Sequence, residues 1–308
     1  MSDGELVMAL DIGGTKLAAA LVDEHGWLQE KRVIATEAGR GAEQVLERAL
    51  CLAGEVLVKA EQHGLCPSAL GVATKGITRE DGVDIAGMPG WSHLRIPARL
   101  REQFPGLAIG VINDLRAATL AEATWGSLMG VVHGLYVNFG TGIGAGIVLG
   151  GSVMRGAHDA AGEICYMVPS LADLHDHKPG QAPLEDRIGG RAIPERASQR
   201  LGIPATMEQL VRMATNDPRA AELCDEIAEE IALWTANVAV VTDPERVVIG
   251  GGFLRWGPEL IRRVDDVINR CLPFPPAIAA ATFDVDSALV GAGAFALSLN
   301  SATAGEAF

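Results

Sequence analysis

An aspartate that ends an apolar run and is followed at once by glycines is equipped for phosphate and metal chemistry. In this chain the run Leu6-Val7-Met8-Ala9-Leu10 ends in Asp11-Ile12-Gly13-Gly14-Thr15-Lys16. Glycines let backbone N–H groups approach phosphate oxygens without side-chain obstruction. Thr15 adds a hydroxyl and Lys16 a positive charge. Asp11 offers a hard oxygen ligand for Mg²⁺, directly or through water. A second glycine turn, Gly140-Thr141-Gly142-Ile143-Gly144-Ala145-Gly146, follows another apolar run, and a third, Gly250-Gly251-Gly252, follows Val247-Val248-Ile249. Two such turns suggest two backbone cradles facing one phosphate-bearing ligand. Any one of them alone is as readily a plain hairpin. The spacing is not that of a dinucleotide-binding fingerprint, and no Gly-Lys-Ser/Thr ending marks a P-loop.

A fourth group is Asn113-Asp114, at the end of the apolar run Leu107–Ile112 and the start of a helix. A carboxylate there can accept a hydroxyl proton during phosphoryl transfer. Local sequence alone favours the plainer role of helix N-cap.

The elements that must position these groups are readable from periodicity. Leu17–Val22, Lys31–Ile34, Ala69–Thr74, Leu135–Phe139 and Gly144–Leu149 read as strands. Val45, Leu46, Leu50, Leu52, Val56 and Leu57 mark a helix from Gly41 to His63. Leu115 to Trp125, Ala220–Val241 and Pro258 to Cys271 read as further helices, and Ser287–Ser298, with Gly291 and Gly293 as packing glycines, as a closing one. Thr78 to Trp91, rich in Gly and Pro, reads as a loop. The pattern is α/β with mixed sheets. The expected division is a smaller domain of residues 1–113 with about 297–308, and a larger one of 114–296.

Composition narrows the function classes. The 308 residues suffice for two ordinary domains, and 48% hydrophobic against 21% charged residues is the balance of a soluble globular protein. A formal charge of −14 with no basic stripe argues against nucleic acid as a partner. No apolar stretch reaches bilayer-spanning length, so no membrane partner is expected. The first residues lack signal-peptide character, and a cytoplasmic location follows as the expectation. The five cysteines (51, 66, 165, 224, 271) form no paired motif.

Taken in order, Asp11 to Lys16, Asn113-Asp114, Gly140 to Gly146 and Gly250 to Gly252 resemble the motifs of ROK-family sugar kinases, within the actin-like, hexokinase-like ATPase superfamily. The resemblance runs from Leu6 to about Gly293. It implies two ribonuclease-H-like α/β domains with an active-site cleft between them, ATP and Mg²⁺ as cofactors, and a small-molecule sugar or sugar-like polyol as acceptor. By this resemblance Asp114 becomes the catalytic base and Asn113 a ligand of a sugar hydroxyl. Glu163, in Gly162-Glu163-Ile164, and Glu185, in Leu184-Glu185-Asp186, match glutamates that bind sugar hydroxyls. Read locally, Glu163 is equally a surface or capping carboxylate. Asp11, Gly13, Gly14, Thr15, Lys16, Gly140, Thr141, Gly142 and Gly144 match the phosphate loops, and Gly251 and Gly252 the adenosine side. The family is commonly dimeric, which makes a homodimer the expectation.

The chain also departs from the family pattern. Tyr166 stands where a histidine is usual, and Gly87 where an asparagine precedes the tryptophan at 91. The family's cysteine-rich zinc segment is replaced by Asp173-Leu174-His175-Asp176-His177-Lys178-Pro179-Gly180-Gln181-Ala182-Pro183, read as a polar, solvated loop without structural zinc. In Thr74-Lys75-Gly76-Ile77, Gly76 belongs to the sugar loop, and Lys75 replaces a proline or small residue. Lys75 contacts substrate, pairs with a nearby carboxylate or is simply solvated. The Thr-x-Gly-Ile text leans toward the N-acetylmannosamine kinase branch, and the altered positions leave a modified sugar or a cyclitol open. The competing reading is a catalytically silent sugar sensor. A helix-turn-helix repressor has no room ahead of Asp11.

Overall fold

The computed structural model describes residues 5–78, 82–84, 94–178 and 180–303. In chain order the first elements are β1 (Leu6–Ile12), β2 (Lys16–Asp23), β3 (Leu28–Ala35), α1 (Ala42–Gln62), β4 (Ala69–Thr74), β5 (Ile77–Thr78), β6 (Val83–Asp84), α2 (Ile96–Gln103), β7 (Ala108–Asn113) and α3 (Asp114–Trp125). There follow β8 (Gly134–Phe139), β9 (Ile143–Leu149), β10 (Ser152–Val153), α4 (Leu171–Asp176), α5 (Pro183–Ile188), α6 (Ile193–Leu201), α7 (Met207–Met213) and α8 (Pro218–Thr242). The chain ends with β11 (Arg246–Gly250), α9 (Pro258–Cys271), β12 (Ala277–Ala280) and α10 (Ser287–Thr303).

The chain packs as two units. One comprises Met1–Met129, Ser152–Ala160 and Asp286–Phe308, the other Gly130–Gly151 and Ala161–Val285. Both α3 and the whole of α10 therefore belong to the first unit, whereas the sequence places a boundary at Asp114 and another near 297.

In the first unit the strand order is β3-β2-β1-β4-β7. β1 and β2 form an antiparallel hairpin, while β1, β4 and β7 run parallel, in register at Ile12↔Thr74 and Thr74↔Asn113. Side chains alternate between two faces of different grain. Met8, Leu10, Ile12, Leu17, Leu21, Leu70 and Val72 pack against α1. Ala9, Ala18, Ala20, Ala69 and Ala73 face α3 and α10. The small face lets helices lie directly on the sheet: a Cβ on Gly71 would sit 1.9 Å from the Ala292 carbonyl oxygen. Likewise a Cβ on Gly291 would reach within 1.7 Å of the Ala117 carbonyl oxygen, so α10 and α3 touch backbone to backbone. Gly291 and Gly293 are packing glycines, as the sequence suggests.

In the second unit β9, β8, β11 and β12 lie side by side in that order. β8 and β9 form an antiparallel hairpin, and β11 and β12 extend it in parallel. The core under this sheet combines Leu135, Val137 and Phe139 of β8 with Ile227 and Ile231 of α8 and Leu260, Val264 and Ile268 of α9. The four-residue spacing of Leu260, Val264 and Ile268 puts these three on one face of α9. Among the described residues no helix is long and apolar enough to cross a membrane.

Candidate active site

In the first unit the parallel strands β1, β4 and β7 end at one sheet edge, and their last residues carry the expected chemistry. Asp11 stands one residue before the end of β1 and is 6% exposed. Its carboxyl is pushed up to about 7, first by burial, then by the negative charges of Asp114 and Asp286 against the opposing pull of Lys16. The turn after it is closed by Gly13 N–H donating to the Lys16 carbonyl at 3.0 Å and by the Thr36 hydroxyl donating to the Gly13 carbonyl at 2.7 Å. Gly14 and Thr15 form its exposed tip.

At the end of β7, Asn113 takes the cap role that local sequence alone favours for Asp114. Its Oδ1 accepts from the backbone N–H of Leu115 at 2.9 Å and of Arg116 at 3.2 Å. Its Nδ2 donates to the Gly76 carbonyl at 2.9 Å. That leaves one amide hydrogen for a ligand. Asp114, freed from capping alone, is the first residue of α3 and accepts from Leu115 N–H at 2.9 Å. Burial raises its pKa, and the Leu115 bond and the Lys75 charge pull against that rise. Lys75 itself is exposed, one residue past β4. The pairing of Thr74 with Asn113 across β4 and β7 explains why Lys75 and Asp114 come near each other. The exposure of Lys75 fits the solvated reading, and its charge also acts on a local carboxylate, that of Asp114.

Sequence reasoning missed Asp286. It precedes α10, lies 3.8 Å from Lys16 Nζ and 2.5 Å from Lys31 Nζ, and acts on Asp11. An aspartate ahead of an Ala-rich helix signals a cap. Only tertiary packing reveals that this one stands beside the first glycine turn. The donor set fits Mg²⁺ of the phosphate-linked kind. Among the described residues no three His, Cys, Asp or Glu side chains converge as a metal cage. A cation beside Asp11 would therefore complete its shell with water and phosphate oxygens, the habit of Mg²⁺.

In the second unit the same strand-turn-strand pattern is built from backbone. Gly190 N–H donates to the Gly140 carbonyl at 2.7 Å, and Asn138 Nδ2 donates to the Gly142 carbonyl at 3.1 Å. Gly251 has φ +89, and a Cβ there would lie 2.4 Å from the Phe139 carbonyl oxygen. A Cβ on Gly140 would lie 3.1 Å from Gly252 N. Three glycine segments thus nest where any side chain would intrude. Gly190 was not anticipated. Thr141 is exposed at the turn, whereas Gly144 is buried within β9, paired with Asn138.

Glu185, on α5, accepts from Ile143 N–H at 3.0 Å, so its carboxylate is fixed against the second glycine turn. Glu163 follows Gly162, whose φ of +86 and close approach to β9 exclude a side chain: a Cβ would be 1.7 Å from the Ala145 carbonyl oxygen. The Cys165 thiol donates to Glu163 at 3.5 Å. Tyr166 is 46% exposed, and its phenol is raised first by burial, then by Cys165, Glu163 and Glu185, which places the three candidate acceptor ligands near one another.

The segment read as a polar loop is in part helical. His175 and Asp176 end α4, capped by Ser170, whose Oγ accepts from Asp173 N–H at 3.2 Å. Gln181 then closes a turn by accepting from Lys178 N–H at 2.8 Å. Gly87 and Trp91 lie outside the described residues.

Comparison with known proteins gives a consistent result. The model of the ROK family matches residues 7–299. A kanosamine kinase from Amycolatopsis mediterranei is 29% identical over 297 residues, 93% of this chain and 95% of that protein. An N-acetylmannosamine kinase from Escherichia fergusonii is 31% identical over 252 residues, 79% of this chain and 82% of its own length. A ROK-family glucokinase from Streptomyces griseus, solved with glucose and AMPPNP, superposes with a TM-score of 0.79 at 26% identity, covering 95% of this chain and 99% of that one.

Proposed function

The chain belongs to the ROK family, and on that premise we propose that it is an ATP-dependent kinase acting on a hydroxyl of a hexose or hexose-like polyol. The observation that carries the reading is the pairing of Asp11 and Asp114 at one sheet edge, each with its carboxyl raised by burial. Asp114 is the general base. A carboxylate with raised proton affinity accepts the acceptor's hydroxyl proton more readily than an ordinary one. Asp11 holds Mg²⁺, directly or through water. When bound, Mg²⁺ supplies charge neutralisation at the transferring phosphoryl group. Gly13, Gly14, Thr15 and Lys16, and likewise Gly140, Thr141 and Gly142, take phosphate oxygens. Gly251 and Gly252 lie along the nucleoside.

Glu163, Glu185 and the remaining Asn113 amide hydrogen orient the acceptor hydroxyls. Carboxylates suit this work because each oxygen accepts more than one hydroxyl. Lys75, Gly76 and Tyr166 set acceptor choice. We place the enzyme in the cytoplasm, where ATP is supplied, and propose a homodimer by family likeness.

The test is ADP formation with glucose, N-acetylmannosamine and kanosamine as acceptors, for wild type and Asp114→Asn. Sugar-dependent ADP formation lost in the variant is the expected result. An Asp114→Asn enzyme with wild-type turnover would overturn the base assignment, and wild type inert toward all sugars tested would overturn the kinase reading.

A further inference from the structure

A closed polar triangle lies beside the proposed acceptor turn, and the reaction does not use it. Arg116, two residues after Asp114, is 5% exposed. Its Nη2 donates to Thr78 Oγ1 at 2.9 Å and to Asp159 Oδ2 at 2.5 Å. The Thr78 hydroxyl donates to the same Asp159 oxygen. The other oxygen, Asp159 Oδ1, accepts from Arg155 Nε at 2.9 Å. Asp159 is almost fully buried at its side chain and holds φ +60, in the left-handed region.

This arrangement is a poor source of stability. Desolvating an arginine and an aspartate is costly, and their attraction returns that cost only with good geometry. The left-handed backbone at Asp159 adds strain rather than stability. Well-packed apolar side chains would hold the same elements together at least as firmly. What a hydrogen-bonded ion pair adds is a fixed geometry.

The geometry it fixes is that of the acceptor turn. Lys75 and Gly76 join β4 to β5, and Thr78 ends β5. Asn113 holds the turn at the Gly76 carbonyl, and Arg116 holds it at the Thr78 hydroxyl. Both anchors belong to the first turn of α3 and its cap, and Asp114 lies between them. One helical turn therefore sets the distance from base to acceptor loop.

We propose that Thr78, Arg116 and Asp159 form a positioning and specificity-determining cluster that locks the Lys75–Thr78 turn against the helix bearing Asp114. The proposal rests on the kinase reading for its consequence, not for the brace itself. The cleanest test is Thr78→Val, which removes one hydroxyl and leaves the Arg116–Asp159 pair. The hydroxyl's loss removes two hydrogen bonds, one from Arg116 and one to Asp159, and is expected to raise the acceptor KM about tenfold, with kcat and the ATP KM within about twofold. Thr78→Ser, which keeps the hydroxyl, restores the wild-type KM. Glucose, N-acetylmannosamine and kanosamine serve as acceptors. Without any sugar, amide hydrogen exchange at residues 76–78 is expected to accelerate in Thr78→Val and not in Thr78→Ser. Asp159→Asn gives the same split, larger, if it folds. An unchanged acceptor KM overturns the specificity role, and unchanged exchange overturns the brace. If wild type phosphorylates none of the three sugars, the kinase reading fails and exchange alone decides the brace.

Discussion

The two glycine hairpins share a frame and differ in what fills it. Asp11 stands one residue before the end of β1, and Asn138 one residue before the end of β8; in each case an apolar residue and then a glycine follow. Each hairpin is flanked by a parallel strand on its far side. Around the first, however, the neighbours that matter are charged: Asp114, Asp286 and Lys16 all act on the Asp11 carboxyl. Around the second they are main-chain groups: Gly140, Gly190, Gly251 and Gly252 meet with no side chain between them, and Asn138 ties its amide to the Gly142 carbonyl. On the proposed reading, one edge would hold a proton and a cation, and the other would follow the outline of a ligand. Substitutions should therefore fail differently in the two places, by charge in the first and by shape in the second.

The largest effect is expected at the charged edge. Asp114→Asn preserves volume and the accepted Leu115 bond while removing the proposed base. Its kcat should fall by about 10²–10⁴, the usual contribution of a positioned general base, with KM values changed far less. Steady-state kinetics on a folded variant checks this, and a comparable fall in a glycine variant of the second turn would blur the contrast.

The next effect belongs to the shaped edge. Gly251→Ala introduces a Cβ 2.4 Å from the Phe139 carbonyl oxygen at φ +89. Backbone must shift, at about 1–3 kcal/mol of stability. The ATP KM should rise by about tenfold or more, while the pH profile of kcat, set at the other edge, should not move. A shifted profile would mean that the two edges do not divide the work in this way.

The charged edge should also reveal itself through pH alone. With the Asp11 carboxyl raised from its ordinary value of 3.8 to about 7, the folded protein binds a proton that the unfolded chain has released between those values. Its contribution to stability is full below pH 4 and is lost as pH climbs through 7. Without nucleotide or Mg²⁺, wild type should lose melting temperature relative to Asp11→Asn between pH 5 and pH 8, by an amount equivalent to a few kcal/mol, on the order set by the shift. Parallel melting curves for the two proteins across that range would remove the buried-carboxylate account.

What was legible in the sequence follows from the same division. Apolar runs ending at glycine revealed β1 and β11, a short apolar run revealed β4, and α9 was read with its observed limits. Those signals are local. β12 was not legible: it is Ala-Ile-Ala-Ala, held by pairing with β11 rather than by any pattern of its own. α4 arises where Ser170 supplies a cap to a segment that reads as polar loop. The place of α3 in the first unit depends on Gly291, whose missing Cβ lets α10 meet Ala117. Asp286 and the Arg116–Asp159 pair were equally hidden, because a carboxylate's partner is a fact of packing. Motif residues were legible, and the charges that tune or hold them were not.

The smallest effect sharpens the comparison most. Gly14 is a motif glycine like Gly251, yet a Cβ added to it meets nothing within 4 Å, and its φ is not among the positive ones. If the first turn works through charge rather than close backbone packing, Gly14→Ala should leave stability within about 0.5 kcal/mol and raise the ATP KM no more than about threefold, since no existing contact is disturbed. Thermal melts and ATP titrations of Gly14→Ala beside Gly251→Ala read this directly. Equal damage from both would show that bound phosphate comes as close to the first turn as backbone comes to Gly251. The first turn would then be a shaped cradle after all, with its charges added to a fit that the unliganded fold does not display.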